Sequence, residues 1–390
     1  MATYAEIIKK CEKEWACPDL MESVNKTSGR KIPFSSPSLN YITYGGIPRN
    51  AVTEFYGFEG GGKSTTAIDI CKNAIDLFYT EYTEEIQDLQ EKVSSGKKEY
   101  KVQLSDLQER GAKKVLYLDI EHAFDRKWAS TLGITYQAIE VMQTPNIAAE
   151  LILQKILELI ESGEIGLLVL DSVPSLVPQS ELEKKLGERT VAALAGLMTV
   201  FLRKVISLLT RYDCTLLLIN QQRVNMNNPY ADQVPGGTAI AFYSSLILNF
   251  KHGSPVDFLG NEIPQKSENP AGYKIVVTVK KQKTAPFDRK LGEYYLMAQS
   301  GLRIDFEFAN LAITRYEIIR KGGAWFTVCD PETMEPLEVD GSIVKINGLA
   351  KVYDYLQTNT EYYDKLCKFI IDDINHNGLT IEEATDGIEE

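Results

Sequence analysis

Residues Phe55–Asp69 read FYGFEGGGKSTTAID, and this stretch decides the fold. Its centre, Gly57-Phe58-Glu59-Gly60-Gly61-Gly62-Lys63-Ser64, fits the spacing G-x-x-x-x-G-K-[ST] in full. Glycines at these positions let backbone N–H groups turn inward around a β-phosphate, and a helix starting there points its positive end at the same anion. The pattern assigns Lys63 to the β- and γ-phosphates, and the Ser64 hydroxyl, followed by Thr65, to magnesium. A glycine-rich turn can match by accident. Here the strand-like VTEFY runs straight into the loop and the helix-like TTAIDICKNAI runs straight out. Strand, loop and helix together predict a site for a magnesium-bound nucleoside triphosphate.

Further along, KKVLYLDIE, IGLLVLDS, CTLLLINQQ, SSLILNF and YKIVVTVK each have the length and apolar continuity of a buried strand. Amphipathic segments such as AAELILQKILELIESG separate most of them. Continuous apolar strands alternating with helices predict an α/β fold, its sheet mostly parallel and covered on both faces. Asp171 ends LLVLDS, where an acidic residue holds magnesium through water. YLDIEHAFD ends another strand with Asp119, Glu121 and Asp125. Ligands of α/β sheets collect at strand carboxyl ends, which makes Glu121 the candidate general base; a structural ion pair is the plainer alternative. Asn220 and Gln221 end LLLINQQ, where an amide can sense a γ-phosphate or merely terminate the strand.

The chain has 390 residues, 44% hydrophobic and 25% charged, room for a large core with appendages. No run approaches the roughly 18 apolar residues of a membrane span. MATYAEIIKKCEKEW is charged where a secretory signal is apolar, so a cytoplasmic protein is expected. Six scattered cysteines without a Cys-x-x-Cys pair, and three histidines, argue against a disulfide framework or a structural zinc. A net charge of −12 argues against loose nucleic-acid binding but leaves room for a local basic groove. The organisation expected is an N-terminal arm over 1–35, a core over 36–304 with a charged helical hairpin inserted at 79–113, a small α+β C-terminal domain over 305–371, and an acidic tail over 372–390.

These pieces, in this order, closely resemble the RecA family of homologous recombinases from about residue 36 to 326. The resemblance rests on SLNYITYGGIPRNAVTEFYGFEGGGKSTT, LYLDIEHAFDRKWASTLGI, LLVLDSVPSLVPQSELE, INQQR, PGGTAIAFYSS, KKQKTAPF and GGAWF, with departures that suit a divergent, phage-type member. It implies a RecA-like P-loop ATPase core in which Glu121 is the catalytic glutamate, Glu59 belongs to the phosphate loop, and Gln221 senses the γ-phosphate. It also implies that Asp125 and Trp128 hold adenine, Trp128 standing where the family usually has Tyr. Two DNA-binding loops follow. In the first, Arg203 matches a phosphate-contacting arginine and Val191 an apolar residue against the bases, while Gly196 replaces an arginine. In the second, Arg223, Gly236 and Gly237 match, and Tyr230 offers a face for base stacking. Lysines of VTVKKQKTAPFDRK reach a neighbouring subunit's γ-phosphate: Lys281 and Lys283 if a gap is allowed, Lys280 if not.

The resemblance thus implies a DNA-dependent ATPase that polymerises on single-stranded DNA as a helical filament and exchanges it with homologous duplex DNA. Single-strand-binding and loader proteins are further expected partners, and no membrane. The alternatives are a ring-forming helicase of the same fold and a non-exchanging recombination mediator. PGGTAIAFYSS and the lysine segment speak against the first, and the intact Lys63, Glu121 and Asp171 set against the second.

Overall fold

The computed structural model describes residues 29–376 apart from 98, 136–137, 186–191 and 223–234, plus positions 3, 6, 9, 10 and 13. Most of the N-terminal arm and residues 377–390 lie outside it. A two-stranded ladder, β1 (Lys31–Ile32) with β2 (Ile47–Pro48), brackets helix α1 (Pro37–Thr43). The main sheet has nine strands: β3 (Val52–Gly57), β4 (Lys114–Asp119), β5 (Glu140–Gln143), β6 (Ile165–Asp171), β7 (Thr215–Gln221), β8 (Leu246–Val256), β9 (Gly272–Gln282), β10 (Leu291–Met297) and β11 (Gly301–Leu302). Their spatial order is 11-10-9-8-3-7-6-4-5. The six from β8 to β5 run parallel, and β9, β10 and β11 continue antiparallel at one edge.

Helices cover both faces, as the unbroken apolar strands predict. α2 (Lys63–Ser94) lays Ala67, Ile70, Cys71 and Phe78 on one face, against Leu167 and Val169. On the other face α5 (Ala149–Glu161), α7 (Ala193–Arg211) and α8 (Thr238–Tyr243) cover Leu168 and Leu170. Between them in the chain lie α3 (Tyr100–Arg110), α4 (Arg126–Thr131) and α6 (Gln179–Leu182). With neighbours on both sides β6 has no face left for polar residues, which is why IGLLVLD does not alternate. α7 has the length and mean hydropathy (1.6) of a membrane span. Its Met198, Phe201, Leu202, Val205 and Leu209 are nevertheless buried in this core, and Arg203 and Lys204 interrupt it.

The insertion differs from the expected hairpin. No Gly or Pro occurs between Lys63 and Ser94, so the phosphate-loop helix runs on as one 32-residue rod, and the expected first arm is its outer half. α3 packs back along that half, where Leu89 and Leu107 are buried. The rod is anchored at mid-length by Arg49, whose guanidinium bonds Glu81 (2.5 Å) and Asp213 (3.0 Å) and lies over the Phe78 ring.

A third core belongs to the C-terminal region, built from α9 (Ile304–Thr314), the hairpin β12 (Ile319–Gly322)–β13 (Trp325–Val328), the short strands β14 (Glu338–Val339), β15 (Ser342–Ile343) and β16 (Lys345–Asn347), and helices α10 (Leu349–Thr358) and α11 (Thr360–His376). Ile370 and Ile374 are both buried, so the apolar stripe carries α11 past Ile371 into the acidic stretch.

Candidate nucleotide site

β3 and β7 are neighbours whose connections leave in opposite directions, β3 through α2 towards β4 and β7 towards β8. A crevice opens at the carboxyl ends of such a pair. Gly57 faces Gln221 across it, and Asp119 faces Asp171 two strands along. The loop between β3 and α2 is held against β8 and β10. A Cβ on Gly57 would stand 2.1 Å from the Phe250 carbonyl oxygen. One on Gly62, at φ +82°, would stand 2.5 Å from the Tyr294 hydroxyl. Only glycine fits either place. Gly60 and Gly61 form the outer turn beside exposed Glu59.

Lys63 opens α2, and its Nζ donates to the Phe58 carbonyl (2.7 Å), folding the amine across the loop. Burial holds its pKa below the usual lysine range, against the nearby charges of Asp171, Glu121 and Glu59. The Ser64 hydroxyl lies near the Asp171 carboxyl, which accepts from Tyr117 Oη (2.5 Å). Burial pushes Asp171 up, and those two hydroxyls oppose the shift. An adjacent hydroxyl and carboxylate beside a buried amine are the oxygen donors and the cation that a magnesium-bound triphosphate requires. Among the described residues no group of three or more His, Cys, Asp or Glu side chains could hold a metal, so phosphate and water oxygens would complete its shell.

Glu121 stands exposed above these groups. Its Oε1 accepts from Ser172 Oγ, from Gln221 Nε2 (2.9 Å) and, at 3.4 Å, from Ser175 Oγ. Asp119 is scaffolding: it is buried and accepts from the backbone N–H groups of Ala123 and Phe124 (both 3.0 Å), fixing the turn that presents Glu121. Asp125 caps α4 by accepting from Lys127 N and Trp128 N. Trp128 Nε1 donates to Thr65 Oγ1 (3.1 Å), tying the indole to the first turn of α2. Lys63, Ser64, Thr65, Trp128, Asp171, Glu121 and Gln221 therefore share one crevice.

The other candidates lie elsewhere. Arg203 is exposed on α7, and Gly236 and Gly237 precede α8, with Gly237 against Ala195 at the start of α7. Val191, Arg223 and Tyr230 fall outside the described residues. Lys281 Nζ donates to the carbonyls of Ala241 (2.5 Å) and Phe242 (2.8 Å), and Lys283 Nζ to that of Phe242 (3.2 Å), so both cap the end of α8. The β8–β9 register slips between Ile247↔Lys281 and Leu248↔Val279, which makes exposed Lys280 the extra residue of a bulge.

The model of the RecA N-terminal domain family matches residues 84–303. This chain belongs to the RecA family. Protein RecA of Thermus aquaticus is 31% identical over 327 residues, 82% of either chain. Protein RecA of Aquifex aeolicus is 29% identical over 370 residues, 94% of this chain and 90% of that one. That of Chlorobaculum tepidum is 31% identical over 299 residues, 76% and 73% of the two chains. Within this RecA-family core, sequence reading missed Tyr117, Ser172 and Glu54. The first two read as an ordinary strand tyrosine and a loop serine. Glu54 carried a signal: one carboxylate inside the apolar strand VTEFYG.

Proposed function

We propose that this RecA-family chain is a DNA-dependent ATPase and recombinase that assembles on single-stranded DNA with ATP and exchanges it with homologous duplex DNA. The observation that carries this reading is the 2.9 Å bond between Gln221 and Glu121 beside Ser64 and Asp171, which joins a carboxylate base to an amide at the root of segment 222–237. Mg-ATP is the substrate. The amides of 57–62 and Lys63 take its β- and γ-phosphates, Ser64 and Asp171 take the metal, the latter through water, and Asp125 and Trp128 take the adenine. Glu121 exchanges one of its donors for the attacking water and accepts that water's proton. Gln221 turns its amide from Glu121 to the γ-phosphate, and the end of β7 moves with it.

The DNA-facing residues in this proposal are Val191, Arg203, Arg223, Tyr230, Gly236 and Gly237, which touch mainly the backbone and base faces while base pairing supplies the specificity. Lys280, Lys281 and Lys283 are the candidates to complete a neighbour's site, so assembly and turnover are coupled. A head-to-tail contact of that kind propagates as a helix if it does not close. Negative-stain electron microscopy with single-stranded DNA and a slowly hydrolysed ATP analogue tests the proposal. Extended, nucleotide-dependent helical filaments are expected. Closed rings would place the chain among motors, and particles without DNA-dependent assembly would make it a mediator.

A further inference from the structure

On the sheet face covered by α7 and α8, a row of paired residues runs Leu218, Glu54, Ile247, Lys281 across β7, β3, β8 and β9. Glu54 is buried, and one of its carboxylate oxygens accepts from Asn220 Nδ2 (3.0 Å). Asn220 is fully buried as well, and all its side-chain groups are in use. The second Nδ2 hydrogen goes to the Pro235 carbonyl (2.9 Å), and Oδ1 accepts from the backbone N–H of Gln221 (3.0 Å). One amide therefore grips both ends of the segment that leaves β7 and returns at α8.

The orientation of that amide depends on Glu54. With two acceptors on its nitrogen side and one donor on its oxygen side, Asn220 cannot flip without opposing like groups. Remove the Glu54 acceptor, and the nitrogen side keeps a single partner with one buried N–H unpaired. Rotation then releases Gln221 N and Pro235 O together. Beyond Pro235 the chain enters α8, whose last carbonyls are held by Lys281 and Lys283. Burial pushes the Glu54 carboxyl up, and the Asn220 hydrogen bond and the Lys281 charge oppose that shift.

We infer that Glu54 is a positioning residue which, through Asn220, makes Gln221, just before segment 222–237, and Pro235, near the end of that segment, move as one unit. It transmits the nucleotide-facing amide's position to the DNA-facing segment. This rests on the reading above, in which Gln221 faces the γ-phosphate and segment 222–237 faces DNA. A carboxylate kept only for packing would affect the crevice and the segment alike.

Steady-state ATP hydrolysis with and without single-stranded DNA, together with the ATP KM measured without DNA, separates the two roles. Glu54→Gln retains an acceptor for Asn220 and should keep DNA stimulation within about twofold of the parent; Glu54→Leu, similar in volume, should lose about tenfold or more of it with the DNA-free KM within about twofold. Full stimulation in Glu54→Leu, or equal losses with and without DNA, would overturn the inference. If Glu54→Leu does not fold, Glu54→Asp, which keeps the charge but withdraws the oxygen from Asn220, is read by the same criterion. A parent enzyme that DNA does not stimulate would instead overturn the underlying reading, and the inference with it.

Discussion

β6 and β9 belong to one sheet and are built on different terms. Every residue of β6 is buried, Leu167 and Val169 under α2 and Leu168 and Leu170 under α5 and α7. β9 alternates: Ile275, Val277 and Val279 face the core, while Lys274, Val276 and Thr278 are half-exposed. A strand covered on both faces can present chemistry only at its end, and Asp171 is the last residue of β6. The open side of β9 lets polar groups stand along it, and at its end Lys281 reaches the carbonyls of α8 while Lys280 is exposed. The parallel half of the sheet carries the acidic strand ends of the crevice, and the antiparallel edge braces the glycine loop through Tyr294.

Glu121→Gln is the most severe test of that division. Turnover should fall by about 10²–10⁴-fold because the amide cannot take a proton, with ATP-analogue binding and melting temperature unchanged. Residual turnover near the parent rate would place the base elsewhere. Next comes packing. Leu168→Ala should cost about 2–5 kcal/mol in denaturant unfolding, and Val276→Ala, on the open side of β9, less than about 1 kcal/mol. Equal costs would erase the distinction between the strands.

A smaller effect should follow pH. Burial pushes Glu54 up to about 7 from an ordinary 4.5. Folded protein then keeps a proton that unfolded chain has released, so stability is greatest below the unfolded value and declines as pH rises through the folded one. Glu54→Gln, which has no proton to lose, should flatten the decline between about pH 5 and 8, by up to about 3 kcal/mol. Thermal melts across that range are the measurement; an unchanged slope would mean that Glu54 titrates as an exposed carboxylate.

Features confined to one contiguous stretch were legible in the sequence. The phosphate loop was, because strand, glycines, lysine and helix adjoin in the chain. Asp171 and Glu121 stand out in the sequence as candidates, because an apolar run meeting an acid marks a strand end. The charged segment after Tyr79 reads as an inserted helical hairpin because its composition turns polar there. Composition does not stop a helix, however, and without Gly or Pro α2 continues to Ser94. Lys281 and Lys283 illustrate the opposite limit. A cluster of basic residues looks like a free cationic patch, yet two of its amines cap α8, with Ala241 lying 40 residues before Lys281.

Residue type and local period are enough to place a glycine loop between strand and helix inside a two-sided α/β sheet. That Gln221 meets Glu121 100 residues away, and Glu54 meets Asn220 166 residues away, follows from the packed fold alone. Those pairs depend on which strands lie side by side and in what register. Burial of both sheet faces sets that arrangement for the whole domain at once, and no local window of sequence contains it.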